Sequence, residues 1–374
     1  MLLKTRTKLL LMLSVSLAAL LLQGCGGKVP VADSGPVFFP PLPNPPRIQY
    51  LTHIENSKEF LGEKDKFSMF VYGSTEQEQI RRIQKPYGIT THGGKIYVCD
   101  LGGQNVLIID PVNKSFEPIK GNYSLGKLMK PASLTIDDEG NMYVADTMRR
   151  DIVVYNPAGE YIASYGKELG IKPVDVKVDE KFVYVLDMPS NEIKVLDRKT
   201  GKYLKSIGKA DGKTEGISLP TAMAMGPKGH LYVSNSGSAR ILKYDRDGHL
   251  LDAFGEMGDA FGMFARPKGI AVDDQERIYV VDGGHQNVQM FNADHRLLIF
   301  FGDPGLNPDL RKGLLNLPTD IAVTTDNLEH YKQYADPSFE LEKLLFVVNQ
   351  YGPYKIAVYG LGQLRNAGVA GSAN

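Results

Sequence analysis

The sequence predicts an all-β fold, a six-bladed β-propeller whose ring is closed by an N-terminal strand. Three observations lead there. A short run opening on proline recurs six times, at Pro86, Pro131, Pro173, Pro220, Pro267 and Pro318, with spacings of 45, 42, 47, 47 and 51 residues. Each copy is followed by a second apolar run closed by Asp or Asn, from Ile96-Tyr97-Val98-Cys99-Asp100 in the first to Leu345-Phe346-Val347-Val348-Asn349 in the last. A third and a fourth run complete each unit except the sixth, where the chain runs out of a fourth. Four strand-length runs divided by turns such as Asp138-Glu139-Gly140 make one blade, and a lone blade cannot bury both faces, so its copies must stack around an axis.

Composition agrees. The chain has 374 residues with 39 Gly, 22 Pro and 19 Tyr, a surplus of turn and strand formers over what long helices use. With 43 Lys+Arg against 43 Asp+Glu it has no excess charge to concentrate polyanions, which argues against nucleic acid as a partner. Two Cys exclude a disulfide scaffold.

Taken in chain order, Lys4, Arg6 and Lys8 precede an apolar stretch from Leu9 to Leu22, a basic segment and a hydrophobic run of export-signal type over residues 1–24. The run ends in Leu22-Gln23-Gly24-Cys25, which resembles the lipobox of bacterial lipoproteins. The resemblance implies cleavage before Cys25 and acylation of its thiol, palmitate included. It also implies sorting to the outer membrane, facing the periplasm or the cell surface, because Gly26 rather than Asp follows. Cleavage leaves 350 residues and, with three basic groups and no acid lost, a net charge of −3. Residues 25–46, dense in proline from Phe39-Pro40 to Pro45-Pro46, read as a lipidated Cys on an extended tether.

Next, Arg47 to Ile54 alternate so that Ile48, Tyr50, Thr52 and Ile54 share one face, the pattern of a strand able to replace the one missing from blade six. The propeller then spans 47–362, and 363–374 read as a flexible tail. Blade six carries an insertion, Thr324 to Lys343, between its first two strands, where His330, Tyr331, Tyr334 and Phe339 offer a separate docking surface.

The order Pro-x-Gly-Ile, then Ile-Tyr-Val-x-Asp, then an apolar run and a closing Phe-Gly, clearest from Pro267 to Gly302, resembles the NHL repeat. With Gly255 to Phe264 as an inter-blade linker, the whole resembles six-bladed NHL/TolB-like propellers and a group of bacterial propeller lipoproteins. Asn replaces Asp at Asn235 and Asn349.

The second-strand acids form the candidate site. Asp100, Asp146, Asp187, Asn235, Asp282 and Asn349 fall on one rim, where a ring of oxygen ligands suits calcium at the propeller axis. Alternatively each accepts hydrogen bonds from its own turn, or pairs with Arg150 or Arg240. His285 stands beside Asp282, whereas His53, His92, His230, His249, His295 and His330 occupy non-equivalent positions, so no catalytic residue and no metal set is assigned. Cys99 reads as a buried small hydrophobe.

Two function classes follow. One is a lipid-anchored extracytoplasmic binding scaffold that uses one rim to engage a protein or polysaccharide partner. The other is a metal-dependent propeller enzyme of lyase or lactonase type. Similarity to the bacterial propeller lipoproteins implies an extracellular cytochrome system as one partner, although no haem motif occurs in the chain.

Overall fold

The computed structural model describes residues 35–61, 80–210, 212, 214–302, 312–352 and 354–365. The export segment and Cys25 lie outside them. The described strands form six antiparallel sheets. Blade one comprises β3 (Pro86–His92), β4 (Lys95–Asp100), β5 (Asn105–Asp110) and β6 (Ser115–Pro118). Blade two comprises β7 (Pro131–Ile136), β8 (Met142–Asp146), β9 (Asp151–Tyr155) and β10 (Tyr161–Tyr165). Blade three runs from β11 (Pro173–Val178) through β12 (Phe182–Asp187) and β13 (Glu192–Asp197) to β14 (Tyr203–Ile207). Blade four holds β15 (Pro220–Met225), β16 (Leu231–Asn235), β17 (Arg240–Tyr244) and β18 (Leu250–Phe254). Blade five holds β19 (Pro267–Val272), β20 (Ile278–Asp282), β21 (Asn287–Phe291) and β22 (Leu297–Phe301). Blade six combines β23 (Pro318–Thr324), β24 (Phe339–Asn349) and β25 (Ile356–Leu364) with β1 (Val37–Phe39) and β2 (Ile48–Ile54) from the other end of the chain.

Each first strand opens on its repeated proline, and in all six the register slips directly after it. Proline has no N–H to give a ladder, so it sits at a strand start beside a bulge. Opposite each proline lies the closing residue of the second strand, for instance Pro131 against Asp146 and Pro318 against Asn349. Second strands are buried along almost their whole length because both faces meet a neighbouring blade, whereas fourth strands such as β10 and β22 are half-exposed. The apolar residues accordingly gather in six clusters, each filling the space between two adjacent blades. First strands approach closely at the axis. A Cβ on Gly269 would lie 2.4 Å from Asp320 Cα, and one on Gly88 2.5 Å from the Ala132 carbonyl oxygen, so only glycine fits at either place.

Ring closure follows the expected plan. β2 pairs antiparallel with β25, Ile48 opposite Leu361 and Ile54 opposite Ile356. The expected single face is corrected: Leu51 forms a bulge between Tyr50 and Thr52, and this extra residue reverses the side-chain phase. Ile48 and Tyr50 therefore pack between blades five and six, and Leu51 and Ile54 between blades six and one. One strand supplies apolar groups to both sides of the seam.

Two further features differ from expectation. Part of the Pro-rich arm belongs to the propeller, because β1 adds to β2 and buries Val37, Phe38 and Phe39. The insertion in blade six folds as α1 (Leu328–Tyr331), a 3-10 turn (Lys332–Tyr334) and the start of β24, with Tyr331 and Phe339 buried in the seam. Its Asp326 carboxylate accepts from the Gly94 amide at 2.9 Å and Asn327 Nδ2 donates to the Gly94 carbonyl at 2.6 Å, tying blade six to blade one. Two of the four residues offered there for docking are thus core.

Candidate functional site

The six second-strand residues occupy equivalent places on one rim, and each reaches into the linker that enters its own blade. Asp146 accepts from the amides of Met129 and Lys130 at 2.7 and 3.0 Å, and from Met148 and Arg149 at 3.0 and 2.9 Å. Asp282 does the same with Ala265, Arg266, Gly284 and His285. Asp100 accepts from Gln84, Lys85 and Gly102, and Asp187 from Lys172 and the Ser190 hydroxyl. Asn235 and Asn349 keep one such bond, from the amides of Ser218 and Asn316, and turn the amide nitrogen to a second acceptor.

All six are buried. They are clasps, spending their lone pairs on backbone donors that would otherwise be unsatisfied. This is the turn-binding alternative, and it removes them as direct contacts for a partner. The arginines are placed differently from the pairing expected. Arg150 donates to the carbonyls of Gly170 and Ile171, and Arg240 to Glu215 at 2.5 Å and to the Ala253 carbonyl at 2.7 Å. His285 does stand beside the clasp, with Nδ1 3.0 Å from Asp282 and Nε2 3.2 Å from Asp259.

Among the described residues no three His, Cys, Asp or Glu side chains come together in a way that fits a metal ion. Asp carboxylates already accepting two to four hydrogen bonds are poor donors for calcium. The histidines have separate local roles: His53 bonds Tyr50, His249 pairs with Asp245, and His295 stacks on Phe254 at 4.2 Å. Burial pushes the Cys99 thiol well up, as suits a structural cysteine.

What the sequence reading missed lies on the first strands. Two residues after each proline come Gly88, Ser133, Asp175, Ala222, Gly269 and Asp320, which puts two carboxyls on opposite sides of the axis. Asp175 accepts from Ser133 Oγ at 2.6 Å, the amides of Val176 and Met223, and Lys177 Nζ at 2.9 Å. Among the described residues Asp320 accepts only from the amides of Ile89 and Ile321. Asp320 is half-buried, and the loss of solvent around it, with the Asp175 charge nearby, pushes its carboxyl up to about 7. One residue after the proline stand Tyr87 and Lys268, and one before it Lys85, Lys130, Lys172 and Arg266. Superimposing the six copies by their prolines would have revealed these columns.

Residues 264–291, within blade five, match the NHL repeat. No curated relative matches the sequence. Among solved structures, virginiamycin B lyase from Staphylococcus aureus is 15% identical with a TM-score of 0.51, over 75% of this chain and 85% of that one. A gluconolactonase from Xanthomonas campestris is 17% identical with a TM-score of 0.50, over 75% and 87%. Regucalcin from Agrobacterium tumefaciens, a calcium-binding protein, is 13% identical with a TM-score of 0.51, over 76% and 92%. At such identities the likeness is one of fold. The chain is a six-bladed β-propeller that carries an NHL repeat in its fifth blade.

Proposed function

We propose that this protein is a binding scaffold, held outside the cytoplasm by lipid on Cys25, which engages a protein or polysaccharide partner through the rim bearing the six clasps. The observation that carries this reading is the distribution of exposed apolar side chains. Met129, Met148, Leu219, Met257, Phe261 and Tyr351 all belong to linkers or turns on that rim, with Phe261 81% and Met257 68% exposed. Apolar groups exposed on loops along one rim of a rigid frame suit a recognition surface. The clasps serve it indirectly, by fixing the linkers that present these groups.

The test is a crosslinking pulldown from the native membrane. Met257→Ser with Phe261→Ser should lose the crosslinked partner, while Val112→Ser with Tyr334→Ser, on the opposite rim, should retain it. The reverse pattern would move the docking face to the other rim. The lyase and the gluconolactonase among the similar folds keep an enzyme reading in view, and an elemental scan separates the two. A stoichiometric divalent ion in purified protein would favour the enzyme.

A further inference from the structure

The centre of the same rim holds a group of cations. Lys85, Lys130, Lys172 and Arg266 are equivalent residues, each directly before the proline that opens a first strand, in blades one, two, three and five. Their amides are fixed by the clasps, at 2.7 Å for Lys85 and Lys172, 3.0 Å for Lys130 and 2.9 Å for Arg266, so their side chains start from equivalent anchored points around the axis. The Lys85 ammonium lies 5.7 Å from the centre of the exposed Tyr351 ring. Among the described residues the side chains of Lys130, Lys172 and Arg266 have no hydrogen-bond or ion-pair partner.

Lys268, one residue inside this ring, supplies an independent observation. It is only 9% exposed, and its stem runs against Gly283, where a Cβ would lie 2.8 Å from its Cε. No carboxylate pairs with its ammonium among the described residues. An unpaired buried ammonium is costly to hold, and burial beside Arg266 accordingly lowers its proton affinity. Tyr87, at the same level in blade one, has a hydroxyl without a partner among the described residues, and the charges of Asp320, Arg266 and Asp175 all act on it. These residues come from blades six, five and three. The acids one level further in are partly answered. Asp175 is paired with Lys177 at 2.9 Å, and Asp320 has been pushed up towards neutrality.

We infer that the axial centre of this rim binds an oxyanion, a carboxylate or phosphate group. Lys268, Arg266 and Tyr87 are its donors, and Lys85, Lys130 and Lys172 are the cations that draw it in. The inference rests on the rim being the docking face and names the chemistry that face selects. A guanidinium and an ammonium whose charges are not already answered recognise such a group by charge-assisted hydrogen bonds. A surrounding ring of the same sign speeds encounter and makes it dependent on salt.

Calorimetry on the purified full-length chain tests this, with oligogalacturonate as a carboxylate source, inorganic phosphate as a phosphate source, and neutral oligogalactan as the control. One or both anions should bind, and the probe that binds identifies the source; the neutral sugar should not. Lys268→Met should weaken binding about tenfold or more, the loss of one charge-assisted hydrogen bond. Lys130→Ala with Lys172→Ala should weaken it less and flatten its salt dependence. Arg266→Ala, at an exposed position, provides a second variant should Lys268→Met melt early. Failure of both anions to bind, or unchanged binding in folded Lys268→Met and Arg266→Ala, would overturn the site. If the native partner is still captured by Lys268→Met but lost with Met257→Ser and Phe261→Ser, the docking face stands and the oxyanion site alone falls.

Discussion

Ile48 lies directly opposite Leu361, so the first long strand of the propeller and its last are neighbours in one ladder. Both are fully buried, in the cluster that joins blades five and six. The ring is therefore held shut by backbone hydrogen bonds and by apolar groups from both ends of the chain, with Tyr359 meeting Tyr50 and Phe39 at 5.6 and 6.2 Å.

A chain beginning at Asn56 should consequently melt well below one beginning at Pro36, because it exposes the edge of β25 and two inter-blade clusters together. Ile48→Ala alone should cost about 2 to 5 kcal/mol, the range for emptying a well-packed site. Thermal unfolding followed by circular dichroism measures both, and coincident melting curves for the two chain lengths would refute closure by β2.

The clasps make a sharper comparison. Asp146→Ala leaves the amides of Met129, Lys130, Met148 and Arg149 without the fully buried carboxylate they share, and should destabilise by about 2 to 3 kcal/mol. Asp146→Asn should cost far less, since Asn235 and Asn349 fill the same role in blades four and six. Urea unfolding of the two variants checks the order, and equal losses would mean that the negative charge is what holds the linker.

Stability should also respond to pH through Asp320. Its folded carboxyl, pushed up to about 7, binds a proton more tightly than an unfolded Asp does. The folded state therefore holds the extra proton between the ordinary Asp range and about 7, and stability from this group falls as pH rises through that window. Between pH 5 and 8 the loss is about 2 to 3 kcal/mol, because each tenfold difference in proton affinity between the folded and unfolded chain is worth about 1.4 kcal/mol. Asp320→Asn removes the titration, so the stability of the native chain relative to this variant should decline over that interval. A constant difference in unfolding free energy from pH 5 to 8 would contradict the assignment.

Cys25→Ser should release the protein into the soluble fraction, as its lipobox-like setting implies. Fractionation after a salt wash, with mass analysis of the N-terminal peptide, reads the outcome. Retention of the variant with the membrane, and an unmodified peptide in the native protein, would exclude an acyl anchor at this residue.

The blade count, the strand order within each blade and the need for a closing strand were legible in the sequence because they are written locally. Short apolar runs divided by turn residues mark each strand, and the recurrence of Pro86, Pro131, Pro173, Pro220, Pro267 and Pro318 marks each unit. The six Asp and Asn positions were legible for the same reason. Their use was not, since Asp146 pointing to a partner and Asp146 pointing to the amide of Met129, seventeen residues back, have the same sequence.

Other features arose only when the ring closed. The reversal of face at Leu51 depends on register against β25, more than three hundred residues away along the chain, and no local pattern encodes it. The recruitment of Val37 to Phe39 depends on the edge that β2 offers them. A lysine before a proline is unremarked in any single repeat, and Lys85, Lys130, Lys172 and Arg266 become neighbours around an axis only because six similar blades return the chain to the same radius. Sequence thus determined what each repeat is, through short apolar runs and turn chemistry. Tertiary structure decided which charges are answered by the backbone and which, among the described residues, are not, because that depends on distances set by packing between blades.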